Sequence, residues 1–478
     1  MMKVYSIEEW HDGLVNGTID VSLYYQQLQK ETYFQQKRLN ALTTICFQNS
    51  PQNLSSDSFL TGVPYVLKDN ICTCQIPTTA SSRMLEDFIP VYDAHVVQLL
   101  KQENACLIGK ASMDELSMGS TNMTALTGPV YNPWDTRRIA GGSSGGSASL
   151  VASGLATFAL GTDTGDSIRR PAGFCGVVGM KPTWGLISRY GIIPYAASLD
   201  TVGVLTRSVQ DLSIVLEKIA GHDFHDMTSS RLPVPHYRYN LSLDISYLKV
   251  AVIQNVVDKL KDHRIQTLFQ NCVSLLKNAG ASVHEISFSQ TYLEAIFPVY
   301  QIIANGEATS HHACLDGIKY GFQSQGQNLE EMVIRTRSQG FHQSIQQRFI
   351  LGALALKQEN QKRMFQKAQK VRRLIVEEIQ NILQTYDIVM VPSGEGIAPL
   401  IEEAQSQSHT LVDDYLIIAN LAGLPSLTLP CGFVDDMPVA VNLMGRCFDE
   451  QTVLNCAYAL ESIMPYCQQY AKGERDDV

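Results

Sequence analysis

No stretch of this 478-residue sequence approaches the roughly 18 consecutive apolar residues that a membrane-spanning helix requires. The opening segment carries Lys3, Glu8, Glu9, His11 and Asp12 without a small-residue cleavage site, so it does not read as a signal peptide. Basic residues are also short: 37 Lys and Arg stand against 47 Asp and Glu, a net charge of −10 that argues against a chain gripping a nucleic-acid backbone unaided. A nucleic-acid partner would need another protein chain beside this one. The 11 cysteines are scattered and never form CxxC, the spacing from which most structural zinc sites start. They are expected to be reduced, mostly buried thiols of a cytoplasmic protein with no metal site. Cys175, in the apolar Phe174-Cys-Gly176, is expected to be inert.

What is present is concentrated between Gly141 and Thr183. Residues Gly141 to Ser147 comprise four glycines and three serines, where bare backbone can approach a ligand closely. The apolar run that follows, from Ser149 to Leu160, rules out a flexible linker. It reads as helix up to Gly154 and as strand after it. A phosphate-binding loop would need Gly-Lys-Ser/Thr at its end, or GxGxxG directly after a strand, and neither occurs. A second turn, Asp163-Thr-Gly-Asp-Ser-Ile-Arg-Arg-Pro171, leads out of a predicted strand into a segment presenting Ser167. Tight turns of this kind can hold a serine hydroxyl beside free backbone N–H groups, the layout of a nucleophile with an oxyanion hole, while a serine there taken alone is more often a helix cap. Ser167 lies 24 residues after Ser143, and Lys68, ending the apolar Gly62-Val-Pro-Tyr-Val-Leu-Lys68, lies 75 residues before Ser143. Taken alone, Lys68 reads as a solvated surface lysine. At an apolar strand end it can instead be desolvated, which favours its neutral, proton-accepting form, and the coincidence of all three elements selects that reading.

These three elements at these spacings resemble the amidase-signature hydrolases. The resemblance implies an α/β fold with a large mixed sheet covered by helices on both faces. It further implies Ser167 as acylating nucleophile, Ser143 as the bridging serine after a cis peptide bond, Lys68 as base, and the backbone of Thr164, Gly165 and Asp166 as oxyanion donors. Tyr190 to Asp200, Thr336 to Phe341, Lys367 to Arg372 and Asn420 to Pro425 resemble the A subunits of bacterial tRNA-dependent amidotransferases. That narrower resemblance implies that Tyr300, Arg348 and Asp413, with Met118 and Gly119, hold free glutamine. It also implies a heterotrimer completed by B and C subunits, Glu-tRNA(Gln) held mainly by the partner, and ATP and magnesium used by the partner, with no cofactor in this chain. Chemically, an arginine can clamp an α-carboxylate bidentately and an aspartate can pair with an α-ammonium.

The sequence departs from the family pattern at Asp166, where glycine is usual, at Ile139-Ala140, at His311-His312 with Cys314, and at Ser393-Gly-Glu-Gly396. Aspartate at 166 adds a Cβ to a turn with a tendency to φ > 0 and a carboxylate near developing negative charge, so Asp166→Gly is expected to speed catalysis. Two other readings stay open: a stand-alone amidase of small amides, and a non-catalytic subunit that kept the fold.

The rest of the chain reads as one domain over 1–478: a helical lead-in over about 1–50, a catalytic core over about 60–210, an excursion over about 223–245, and a substrate-side and C-terminal part over about 246–465. Ser6 and Asp20 are expected to cap two helices, and a loop is expected from Ser50 to Ser58. One long helical run is expected from Leu351 to Tyr386.

Overall fold

Most strands of this protein are apolar on both sides, and the computed structural model shows why: the sheet is covered on both faces. It describes residues 3–47, 58–406, 414–464 and 471. The loop expected from Ser50 to Ser58 falls almost wholly on 48–57, outside the described residues. Among the described residues eleven strands form one mixed sheet. They are β1 (Leu42–Ile45), β2 (Pro64–Lys68), β3 (Cys106–Ala111), β4 (Phe158–Asp163), β5 (Val178–Lys181), β6 (Thr201–Thr206), β7 (Lys249–Ile253), β8 (Ser282–Ile286), β9 (Ile388–Pro392), β10 (Ser426–Val434) and β11 (Met437–Met444). Their spatial order is β1-β3-β2-β4-β6-β5-β10-β11-β9-β7-β8. Strand β2 is parallel to both β3 and β4, β7 is parallel to both β8 and β9, and the remaining pairs are antiparallel.

Side chains of successive strand residues point to opposite faces, so each strand feeds two cores. Val250, Val252, Ile388 and Met390 join one, with helices Val21–Leu39, Val209–Ile219, His263–Asn278 and Glu450–Ile463. Ala251, Ile253, Val389 and Val391 join the other, with helices Gln290–His311, Gln343–Leu356 and Phe365–Thr385. Strands buried on both faces read as continuous apolar runs, as Ile388–Pro392 does.

The expected caps are present. The Ser6 and Glu9 side chains satisfy each other's backbone N–H groups in a capping box, and Asp20 accepts from Leu23 N. Two expectations need correction. The lead-in is not wholly helical, because Leu42–Ile45, with β-branched Thr43, Thr44 and Ile45, pairs with β3 as the edge of the sheet. The run from Leu351 to Tyr386 is two helices, Gln343–Leu356 and Phe365–Thr385. Lys357 leaves helical backbone angles, and the Asn360 amide donates to Leu354 O, ending the first helix through a side chain that competes with helical hydrogen bonding. Residues 223–245 contain no helix or strand.

Candidate active site

Strand β2 delivers Lys68 and strand β4 delivers the Thr164–Ser167 turn to the same edge of the core, because the two strands are parallel neighbours. The lysine is fully buried, and its Nζ donates to Ser143 Oγ at 2.7 Å and to Thr162 O at 3.1 Å. Burial pulls its ammonium down from the ordinary 10.5 to about 7, against the attraction of Asp114, Asp163, Asp200 and Asp166. A group poised there exchanges protons readily at neutral pH.

Ser143 follows a cis peptide bond from Gly142. Gly141 takes φ +80°, a value that favours glycine. A methyl on Gly142 would stand 2.0 Å from Asp114 Oδ2, so only glycine fits there. The two serine-bearing turns are tied by Ser144 N donating to Ser167 O at 3.1 Å.

The Ser167 turn is held from behind. Asp163 pairs with Arg169 at 3.0 Å, accepts from Ile168 N at 2.9 Å and from the Asn420 amide at 2.9 Å, all fully or nearly fully buried. Burial opposes its charge, but Arg169 and these donors hold its carboxyl at about 2. Thr164 Oγ1 donates to Asp200 at 2.6 Å. Ser167 itself is 4% exposed, and among the described residues nothing hydrogen-bonds its hydroxyl. Nor do the backbone N–H groups of residues 164–167 have an acceptor among the described residues. A hydroxyl flanked by uncommitted amides can attack a carbonyl and stabilise the resulting oxyanion.

Over this turn lies Tyr300, so close that a methyl on Gly165 would be 3.1 Å from its hydroxyl. The Tyr300 ring meets Tyr195 edge-on, with centroids 6.4 Å apart. Arg348 Nη1 donates to Tyr195 OH at 3.1 Å, and that hydroxyl donates to Asn305 Oδ1 at 2.9 Å. The structure thus brings a cation and two phenols to one side of Ser167. Met118 is buried beside Gly119, where a methyl would be 2.3 Å from Asp114 Cγ. Asp413 lies outside the described residues.

A family model for amidases matches residues 29–454. The chain belongs to the amidase family. Relatives within it include the A subunit of the Moorella thermoacetica glutamyl-tRNA(Gln) amidotransferase, 44% identical over 85% of this chain and 84% of that protein. The subunit of the same name from a Sulfurihydrogenibium species is 41% identical over 86% and 85%. Among solved structures, the A subunit of the Thermotoga maritima glutamyl-tRNA(Gln) amidotransferase superimposes with a TM-score of 0.80 at 33% identity, covering 94% of each chain.

Asp166 is where this amidase departs from expectation. It does not have a positive φ, so its Cβ is unstrained there. Its carboxylate is turned back onto the helix that follows, where Oδ2 accepts from Arg170 Nε at 2.5 Å. The gain in rate expected of Asp166→Gly therefore loses its physical basis. His312 and Cys314, two other departures, line an apolar cavity with Cys72, Ile193, Pro194 and Tyr320, away from the two serines. Cys175 is buried, and burial pushes its thiol far above the usual range, in keeping with an inert residue. Sequence reasoning missed Asp114 and Asn305 and gave no role to Tyr195, Asp200 and Asn420, which lie in stretches read only for their resemblance; all five reach the site through tertiary packing. No helix among the described residues is long and apolar enough to cross a membrane, and no cluster of three or more His, Cys, Asp or Glu there could hold a metal ion.

Proposed function

We propose that this chain is the glutamine-hydrolysing A subunit of a tRNA-dependent amidotransferase. The observation that carries the reading is the 2.7 Å contact from a lysine poised near neutrality to Ser143, beside a second serine among uncommitted amides. The named relatives, matched over most of their length, support the choice of glutamyl-tRNA(Gln) amidotransferase over other amidases.

Ser167 Oγ attacks the side-chain amide carbon of glutamine. Its proton passes to Ser143, whose own proton passes to Lys68. The backbone amides of Thr164, Gly165 and Asp166 receive the oxyanion. The carbon–nitrogen bond breaks as Lys68 returns the proton through Ser143, so ammonia leaves and a γ-glutamyl ester remains on Ser167. Water, deprotonated by the same relay, attacks the ester and releases glutamate. Arg348 takes the α-carboxylate, Tyr300 packs over the turn, Met118 and Gly119 complete the pocket for glutamine, and Asp413 takes the α-ammonium.

Ammonia then serves a partner, the B subunit, which activates Glu-tRNA(Gln) with ATP and magnesium. A small C subunit completes a cytoplasmic heterotrimer. The net charge of −10 supports leaving the tRNA to the partner. The test is co-purification of the complex followed by glutaminase assays with and without charged tRNA. Glutamine hydrolysis stimulated by Glu-tRNA(Gln), with formation of Gln-tRNA(Gln), is expected. A single chain that hydrolyses small amides and ignores glutamine would overturn the reading.

A further inference from the structure

A buried carboxylate normally needs a cation or a full set of donors, since desolvating its charge costs several kcal/mol. Asp114 is fully buried, and among the described residues no Lys, Arg or His lies within ion-pair distance of it. Its Oδ2 accepts from Asn122 N at 2.8 Å, and its Oδ1 accepts from Thr124 Oγ1 at 2.9 Å. The residue also joins two loops. Asp114 N donates to Ser143 O at 3.2 Å, Gly142 N donates to Ser120 O at 2.7 Å, and Gly145 N donates to Asn122 Oδ1 at 2.9 Å. Methyl groups on Gly119 or Gly142 would each collide with the carboxylate, which therefore lies directly against the peptide that carries Ser143. On the other side of Ser143 is Lys68 Nζ.

We propose that Asp114 is a positioning residue of the hydrolytic relay, locking the 114–124 loop to the serine loop and supplying the counter-charge for the ammonium that Lys68 becomes in each acylation. This rests on the amide-hydrolysing role of the site and deepens it. Four carboxylates face Lys68: Asp114, Asp163, Asp200 and Asp166. Asp163 is neutralised by Arg169 at 3.0 Å and Asp166 by Arg170 at 2.5 Å. Asp200 is occupied by the Thr164 hydroxyl and the N–H groups of Tyr195 and Ala196, with Arg189 also in its field. Asp114 has no cation within ion-pair distance among the described residues, with Arg348 in its field as Arg189 is in that of Asp200, and its charge acts on Lys68 from across the serine loop. When the proton of Ser143 reaches Lys68, the new positive charge lies in the field of this carboxylate. The carboxylate then offsets the ammonium among fully buried groups, and the positive charge is lost again when the proton goes to departing ammonia.

The test is Asp114→Asn in the full-length chain, a change that keeps shape and an acceptor oxygen but removes the charge. Asparagine favours the neutral amine, so the acid limb of kcat/KM should move to lower pH by about one unit. The plateau should fall about 10- to 100-fold, with KM for glutamine within about threefold of wild type. Asp200→Asn should move the limb less. A structural role alone would lower activity and the melting temperature and leave the limb in place, and a limb that stays or moves up overturns the proposal. Should Asp114→Asn fail to fold, Asp114→Ser, smaller and still polar, removes the same charge and should move the limb to lower pH in the same way, and no movement there overturns it equally. Sulfonylation of Ser167 by phenylmethanesulfonyl fluoride, followed over the same pH range, reads the same relay without glutamine. If the wild-type chain is sulfonylated but hydrolyses no glutamine, the substrate reading falls while the limb still decides the case of Asp114.

Discussion

Replacing Lys68 tests the site most directly, and the size of the effect follows from where the lysine lies. Moving its ammonium from 10.5 to about 7 sets roughly 5 kcal/mol against the charged form. At pH 7.5 an ordinary lysine leaves about one amine in 1,000 uncharged, whereas one at about 7 leaves about three in four uncharged. Because the neutral amine is the proton acceptor, activity should rise with pH through the lysine's titration and not fall. In the wild-type chain kcat/KM for glutamine should climb about tenfold per unit below pH 7 and level off above it. Lys68→Ala should lose about 1,000-fold or more, the upper range for a positioned general base. Lys68→Arg should be as inactive at pH 9 as at pH 7, because a guanidinium keeps its proton throughout. Steady-state ammonia release between pH 5.5 and 9.5, with circular dichroism to verify folding, is the assay. Near-normal turnover in Lys68→Ala, or a wild-type limb centred above pH 9, would refute the reasoning.

Three further outcomes are expected. Arg348→Ala should raise KM for glutamine about tenfold or more, from the 1.5–3 kcal/mol of a charge-assisted hydrogen bond, with a smaller change in kcat. An unchanged KM would remove the carboxylate clamp. Asp166→Gly should lower the melting temperature and fail to raise kcat, because it removes the 2.5 Å carboxylate partner of the buried Arg170. A glycine variant that is faster and equally stable would show that the aspartate hinders catalysis after all. Gly142→Ala should abolish acylation of Ser167, since its methyl would stand 2.0 Å from Asp114 Oδ2 and 2.8 Å from the backbone nitrogens of Thr121 and Asn122. Intact acylation, followed by mass spectrometry with an active-site probe, would mean that the two loops separate easily.

The parts of this protein that could be read before its structure are those whose reason is local. Ser6 with Glu9, Asp20, and the strand ending at Lys68 each announce themselves within a few residues, because a cap or a desolvated strand end is a short-range event. The serine loops were legible for the same cause: glycines crowd where backbone must pass against backbone, and a small-residue turn after a strand exposes whatever side chain it carries. The break between Gln343–Leu356 and Phe365–Thr385 has no local signal, because Lys357 to Met364 contain no proline or glycine and the helix ends where Lys357 leaves helical angles and Asn360 returns to Leu354 O. Asp114 and Asn305 have no sequence signature, and Tyr195 shows no role within its stretch, since each acquires its meaning from a partner brought up by another element.

Asp166 shows where local reasoning misleads. Read alone, an aspartate in a glycine position of a catalytic turn is a strained backbone and a misplaced charge. The structure answers both objections with one contact four residues along: the turn runs straight into helix Arg169–Cys175, and Arg170 on its first turn draws the carboxylate away from the oxyanion amides. An i,i+4 arginine is thus what makes an acidic residue tolerable one position before the nucleophile. Position 166 and position 170 form one unit, so Arg170→Leu should damage acylation more in the presence of Asp166 than in an Asp166→Gly background, where no carboxylate is left to turn toward Ser167. Equal losses in the two backgrounds, measured as a double-mutant cycle on kcat/KM, would show that the arginine serves packing alone.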